Sequence, residues 1–201
     1  MAYESITLHR EFIIDEIFSI HYFEYMKDYI YEGETHDFWE LVCVDNGSIE
    51  VTADTETLRL NKGEMLFHKP NEFHALRADG VSTPNLIVIS FRCDAPCMKF
   101  FENRKITINA TERFYLGQIL TETRKTFLTP LNNPYICKLV CCCLSQNILR
   151  LHLTQHHGLQ IFEQCIIHRS CTFEYRKADK IITIIFKQRC ISLVTSIFII
   201  F

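Results

Sequence analysis

Short segments of apolar residues fill the first half of the chain, and turn-forming residues separate them. Ile49, Val51 and Ala53 alternate with polar residues, which is the pattern of a half-buried strand. We predict further strands over residues 13–26, 58–60, 65–68, 74–77 and 86–91, a strand that carries Glu34, His36 and Glu40, and a loop over Tyr29–Thr35. Strands of this length at roughly 8–12-residue intervals predict a β-sandwich or a β-barrel.

A helical pattern replaces the strand pattern after Pro96. Asn109 and Glu112 have the spacing of a capping box, in which each side chain bonds to the other residue's backbone. Apolar positions then recur at helical spacing, at Leu116, Ile119, Leu120, Thr123 and Phe127. An apolar helical face is core by default, so we expect this helix to pack on the β-domain.

The candidate chemistry lies between Glu34 and His74. Side chains on a strand alternate between its two faces, so Glu34, His36 and Glu40 would share one face of one strand, with Phe38 beside them. Asn46 and Gly47 predict a tight hairpin turn, and His74 begins a later strand that can lie opposite. Two carboxylates and two histidines form either a metal site or a polar-lined pocket for a small molecule.

These residues carry a family resemblance. Residues 34–74 resemble the two signature segments of the cupin superfamily, with Glu34 in place of the first family histidine, then His36, Glu40 and His74. The spacing from Pro70 to His74 is one residue shorter than in the general pattern. The segments HDFWELVCVDNGSIEV and LNKGEMLFHKPNEFHAL more closely resemble the N-terminal sensing and dimerisation domain of AraC-type transcription regulators, over about residues 5–138.

The resemblance implies a fold and a division of the chain. It implies a mostly β protein with C-terminal helices, a cupin-like (double-stranded β-helix) barrel with an α-helical extension. The barrel would span residues 1–105 and bind an effector, and residues 106–137 would form a helical dimerisation or linker segment. Residues 138–201 would be an atypical tail, rich in cysteine and basic residues.

The resemblance also implies a function. The domain would sense a small molecule for an AraC-type regulator and form a homodimer, and it would not be an enzyme or need a cofactor. The effector would contact Glu34, His36, Phe38, Glu40 and His74. The dimer contact would involve Leu116, Ile119, Leu120, Thr123 and Phe127. The alternative is a metal-dependent cupin enzyme, an isomerase or oxygenase, with a divalent metal on Glu34, His36, Glu40 and His74.

The chain changes from an excess of acidic residues to an excess of basic residues near residue 137, and most of its cysteines follow that point. Residues 1–136 hold 13 Lys and Arg against 21 Asp and Glu, and residues 137–201 hold 8 against 3. Three of the ten cysteines precede residue 137. The start of the chain does not resemble a signal peptide, so we expect a cytoplasmic protein with reduced thiols. The net charge of −3 argues against a general nucleic-acid binder.

The resemblance ends near Lys138, and no helix-turn-helix pattern follows it. We therefore expect no sequence-specific DNA binding by this chain alone. Our hypothesis is that the reading frame changed near residue 138. A further alternative is that the chain is a polypeptide without a selected function. The Cys141–Cys143 run and the pair His152 and His156 are weak metal signals. The apolar residues 191–201 are too few to span a bilayer, and we expect no membrane association.

Overall fold

The computed structural model describes residues 14–141 of the chain. Their elements follow the chain as strands β1 to β8, a 3₁₀-helix, strand β9 and helix α1. The strands are β1 Glu16–Glu24, β2 Ile30–Glu34, β3 Trp39–Asn46, β4 Ser48–Ala53, β5 Glu56–Asn61, β6 Glu64–His68, β7 His74–Ala78, β8 Asn85–Arg92 and β9 Ile106–Thr107. The 3₁₀-helix covers Pro96–Phe101 and α1 covers Ala110–Thr126.

The strands form two antiparallel sheets. One sheet has the order β1-β8-β3-β6-β9 and the other has the order β2-β7-β4-β5. Strands next to each other in the sequence are often placed in different sheets, as β3 and β4 are, so the chain crosses between the sheets repeatedly. This arrangement brings segments that are far apart in the sequence to the same end of the domain.

The apolar core lies between the two sheets. Val42 and Val44 of β3 belong to one buried cluster with Ile49 and Val51 of β4, although these strands lie in different sheets. Because side chains on β3 alternate between its two faces, Glu40 lies on the same inward face as these two valines. The other face of β3, with Leu41 and Cys43, is also buried. A sheet covered on both sides holds its inward polar residues rigidly.

Helix α1 begins at the predicted capping box. The Asn109 side chain accepts a hydrogen bond from the Glu112 backbone N–H at 3.0 Å, and Glu112 accepts one from the Asn109 backbone N–H at 2.7 Å. Of the five residues assigned to the dimer contact, Phe127 is partly exposed and the others are buried within the chain, namely Leu116, Ile119, Leu120 and Thr123. The helix therefore packs against its own domain, and the dimer contact stays a prediction.

The fold class is confirmed: the described residues are mostly β-sheet, in two antiparallel sheets, followed by a helix. The predicted loop over 29–35 is wrong, because Ile30–Glu34 forms β2. The prediction treated Gly33 as a loop residue. Gly33 instead lies at a register shift within β2, where glycine adopts a positive φ without strain, and the strand continues through it. The sheet also continues to β9, just past residue 105, while the domain boundaries themselves stay predictions.

Some predictions fall on other parts of the chain. Most of the tail lies outside the described residues, including Cys142 and Cys143, the pair His152 and His156, and residues 191–201. The hypothesis of a changed reading frame falls there as well. Within residues 14–141, no helix combines the length and apolar character needed to cross a bilayer.

Candidate functional site

The four predicted polar residues meet at one end of the two sheets. Glu34 ends β2 and is paired in register with His74, which begins β7. Glu40 lies on β3 in the other sheet, and His36 lies in the connection between β2 and β3. The Asn71 backbone N–H donates to the His36 carbonyl at 2.7 Å, which ties this connection to the turn before β7. One ligand atom from each of the four residues lies within 4.8 Å of the others.

The predicted grouping is present, but one part of the reasoning for it was wrong. Glu34, His36 and Glu40 do not share one strand, because residues 35–38 form an irregular connection between β2 and β3. Alternation along a single strand therefore does not bring them together. The pairing of β2 with β7, and the stacking of the two sheets, bring them together instead.

Burial and short distances make the cluster electrostatically coupled. His74 Nε2 lies 3.5 Å from Glu40 Oε1 and 3.9 Å from Glu34 Oε1. His36 Nε2 lies 3.8 Å from Glu40 Oε2. The side chain of His74 is 1% exposed and that of Glu34 is 49% exposed, so the cluster runs from the interior to solvent. Glu34 is the member that a ligand would meet first.

Glu40 is held as a carboxylate. Burial alone would raise its pKa, but His36 beside it, the charge of His74 and a hydrogen bond from Ser90 lower the pKa below its ordinary value. Ser90 Oγ donates to Glu40 Oε2 at 2.9 Å, and the Ser19 hydroxyl lies 2.9 Å from that of Ser90. Since the Ser90 hydrogen is used on Glu40, Ser19 donates to Ser90. The two hydroxyls therefore form a chain that fixes the carboxylate.

The two histidines are oriented by backbone carbonyls. His36 Nδ1 lies 2.9 Å from the Phe38 carbonyl, and His74 Nδ1 lies 3.1 Å from the Glu72 carbonyl. A carbonyl only accepts, so both Nδ1 atoms carry hydrogen. Both Nε2 atoms are buried and have no hydrogen-bond partner among the described residues. Burial lowers the pKa of His74. Burial also acts to lower the pKa of His36, but the hydrogen bond and charge of Glu40 outweigh it, so the pKa of His36 is raised.

Phe38 forms the apolar wall of the cluster. Its ring stacks on the ring of His36, with centroids 3.8 Å apart and planes 9° from parallel. Phe18 of β1 stacks on Phe38 at 4.0 Å. An apolar wall beside convergent polar groups is typical of a small-molecule site.

Two further buried histidines, His68 and His21, lie near the cluster and were not predicted as site residues. His68 of β6 is paired in register with Glu40, and its ring stacks on that of His74 with centroids 4.5 Å apart. His21 of β1 is also buried, and burial lowers its pKa while Glu40 opposes this. His68 lies two residues after Leu66, which is a core residue. Alternation along the strand therefore predicts that His68 also points inward.

Two surface cavities are lined by residues of the described domain. One, of about 220 Å³, is lined by residues that include Lys69, Glu72 and Asn103. The other, of about 300 Å³, is lined by residues of the four-stranded sheet that include Glu50 and Arg77. Neither cavity has His36, Glu40 or His74 in its lining, so the buried polar cluster lies outside both cavities.

The two antiparallel sheets place a cluster of histidines and carboxylates at one end of the domain. Residues 18–95 of the chain match the family model of the AraC-like ligand binding domain. The matched segment contains all of the site residues named above. No model of a DNA-binding domain matches the chain.

Solved structures with similar folds include several cupins. The cupin domain of Cnp3 from Schizosaccharomyces pombe is 16% identical, with a TM-score of 0.37 over 44% of this chain and 65% of that one. A cupin superfamily protein from Desulfitobacterium hafniense is 16% identical, with a TM-score of 0.36 over 46% and 83%. A Thermus thermophilus protein is 17% identical, with a TM-score of 0.33 over 34% and 67%. The search of curated proteins found no match.

Proposed function

We propose that the described domain is the effector-sensing module of an AraC-type transcription regulator, acts in the cytoplasm as a homodimer, and is not itself an enzyme. One observation carries this proposal: the segment that matches the AraC-like ligand binding domain contains the buried cluster of His36, Glu40 and His74. An effector would bind to these residues and to Glu34, and would pack against Phe38. The buried groups give it fixed polar partners, and Glu34 lies at the entrance.

A signal can leave this site through the strands that form it. Glu40 is tied through Ser90 to Ser19 on β1, and the backbone of Tyr22 on the same strand donates to the Leu131 carbonyl, which follows α1. An effector that displaces Glu40 therefore acts on a strand that contacts the helical segment. We propose that this segment carries the signal to the dimer contact and to an attached DNA-binding domain.

The test is ligand binding by the full chain. A thermal-shift panel of sugars, amino acids, amines and carboxylates should contain a compound that raises the melting temperature, because binding to the folded state stabilises it by mass action. The rise should disappear in Glu40→Gln and His74→Asn. Glu50→Gln, a matched carboxylate change on the outer face of the four-stranded sheet, should retain it. A rise that survives in the first two variants would contradict this site.

A metal-binding function is the second candidate, and the two histidines favour it. The buried Nε2 atoms of His36 and His74 have no hydrogen-bond partner within residues 14–141, and each Nδ1 is held by a carbonyl, which is the arrangement of metal-binding imidazoles. One ligand atom from each of the four residues lies within 4.8 Å of the others, and imidazole and carboxylate groups are common ligands of divalent metal ions. The residues therefore fit a divalent first-row ion on Glu34, His36, Glu40 and His74.

Such an ion would supply Lewis acidity toward an oxygen of the bound molecule, as the alternative of a metal-dependent isomerase or oxygenase requires. Elemental analysis of protein purified without a metal-affinity column separates the two functions. Stoichiometric metal that is lost in His36→Ala would favour the enzyme. Protein that is free of metal and still binds an effector would favour the sensor.

A further inference from the structure

Three residues next to the site form a connected unit, in which His68 and Glu72 are buried and Lys69 is partly exposed. His68 is 0% exposed, and its Nδ1 lies 2.8 Å from Glu72 Oε2, while Lys69 Nζ contacts Glu72 Oε1 at 2.8 Å. Glu72 accepts hydrogen bonds on both of its oxygens, and the ammonium group of Lys69 beside it favours the carboxylate form. The proposed effector contacts do not use this unit. Its role is therefore a separate question.

The hydrogen-bond directions fix which atoms of this unit are available. A carboxylate only accepts, so His68 Nδ1 carries the hydrogen, and in the neutral imidazole Nε2 carries a lone pair. His68 Nε2 is buried without a hydrogen-bond partner among the described residues, as is His74 Nε2. A buried acceptor that has no donor destabilises the folded state. Two such atoms in stacked rings indicate that a ligand supplies donors.

The surrounding groups add acceptors and negative charge. His74 Nε2 lies 3.5 Å from Glu40 Oε1 and 3.9 Å from Glu34 Oε1, so a lone pair is directed toward two carboxylates. The Ser90 hydroxyl is already used on Glu40. A positively charged donor placed among these atoms would satisfy the lone pair and both carboxylates at once. An anion would find lone pairs and like charge there instead.

The unpaired polar atoms extend over a distance that one ion does not cover. The group of atoms within 4.8 Å of one another consists of Glu34, His36, Glu40 and His74, and it does not include His68. His68 lies beyond it, stacked on His74 with ring centroids 4.5 Å apart. A single ion at the centre of the four groups leaves His68 Nε2 without a donor. A molecule with several N–H groups reaches both places.

We propose that the site takes a small organic cation that bears several N–H donors, a primary ammonium or guanidinium compound, and that His68, positioned by Glu72, is its innermost contact. This inference rests on the proposed sensing function and gives the chemical class of the effector. Glu34 and Glu40 neutralise the charge of the cation, and the Nε2 atoms of His74 and His68 accept its hydrogens. Phe38 covers its apolar part.

The test compares three probes with the same four-carbon skeleton on the full chain. These are 1,4-diaminobutane, butane-1,4-diol and succinate, used at about 10 mM and equal ionic strength in buffer that contains a chelator. The diamine should raise the melting temperature by about 4 °C or more, the diol by less, and succinate not at all. Glu40→Gln should abolish the effect of the diamine, and Glu50→Gln should retain it.

The role of His68 is tested by affinity. His68→Asn should weaken diamine binding about tenfold, which corresponds to about 1.4 kcal/mol. If that variant does not fold, Glu72→Gln keeps the imidazole and removes the carboxylate that positions it, and binding should again weaken. An unchanged affinity in a folded variant would overturn the role of His68.

Other results separate this inference from the sensing function. Succinate binding that is lost in Glu40→Gln would overturn the cation proposal and leave the sensing site in place. A diamine effect that survives Glu40→Gln, or no diamine effect at all, would also overturn it. A melting temperature that rises with Mn²⁺ or Zn²⁺ in chelator-free buffer, and does not respond to the diamine, would assign the site to a metal ion alone.

Discussion

Single residues set the shape of the site entrance, and Gly33 is the clearest case. It lies one residue before Glu34, and its φ is +103°, a conformation that residues with a side chain rarely adopt. A Cβ added at this position would lie 2.5 Å from Phe73 Cζ and 2.6 Å from the His74 carbonyl oxygen. The absence of a side chain therefore lets β2 approach β7 closely enough to place Glu34 beside His74.

The first prediction concerns Gly33→Ala. Backbone strain alone should cost about 1–3 kcal/mol of unfolding free energy, and the contact with the His74 carbonyl adds to it. Gly80→Ala is a matched control, because Gly80 also has a positive φ, of +75°, but has no atom within 4 Å of the added Cβ. Urea denaturation should show the larger loss for Gly33→Ala. Equal losses would mean that the close approach is relieved without cost.

At the scale of elements, the turn after β7 connects strands of both sheets. Asp79 accepts hydrogen bonds from the backbone N–H groups of Val81 and Ser82, and from the hydroxyl of Ser48 on β4. Arg59 of β5 contacts the same carboxylate at 2.7 Å. The backbone N–H groups of Ser82 and Val81 and the Ser48 hydroxyl lower the pKa of Asp79 well below its ordinary value of 3.8. One carboxylate thus stabilises the turn that leads into β8 and, through Ser90, to the site.

The second prediction follows from that lowered pKa. Because the folded state holds Asp79 ionised more strongly than the unfolded state does, its contribution to stability is present above about pH 4 and is lost as pH falls toward the lowered pKa. Asp79→Asn should therefore be less stable than the native chain at about pH 6, and the difference should shrink at about pH 3.

Chemical denaturation at several pH values measures this difference. Asp28→Asn removes one negative charge from an exposed position in the turn before β2 and serves as the control for net charge. It should show no comparable change with pH. A stability difference for Asp79→Asn that is constant over the same pH range would contradict the assigned role.

At the scale of the whole molecule, helix α1 completes the folded domain. Leu116 is 3% exposed, and Ile119 and Leu120 are also buried within the chain. Phe114 on the same helix is 60% exposed. The buried face is thus already in contact with its own domain, while Phe114 lies on the exposed face.

The third prediction separates folding from dimer formation. Leu116→Ala should lower the free energy of unfolding by about 2–5 kcal/mol, the usual cost of deleting a buried leucine side chain. Phe114→Ala should change it by less than about 0.5 kcal/mol, as exposed substitutions do. Urea denaturation measures both. A loss for Leu116→Ala that falls as protein concentration rises, together with a shift to monomer in sedimentation, would instead place Leu116 at the dimer contact.

Local sequence patterns determined most of the elements of this protein. Alternation at Ile49, Val51 and Ala53, the Asn46–Gly47 turn and the Asn109–Glu112 capping box each depend on contacts within a few residues, and the structure has a strand, a turn and a helix start at these places. Glu34, His36, Glu40 and His74 were also identified from the sequence, because the family resemblance marks their residue types and spacing.

Only the tertiary structure decided how these residues meet. The grouping of Glu34 with His74 depends on the pairing of β2 with β7, and the inclusion of His68 depends on its register with Glu40 across β6 and β3. Strand pairing joins residues far apart in the chain, and alternation within one strand carries no information about the partner strand or its register. The sequence alone therefore determined which groups are available for binding, and the packing of the two sheets decided which of them share one site.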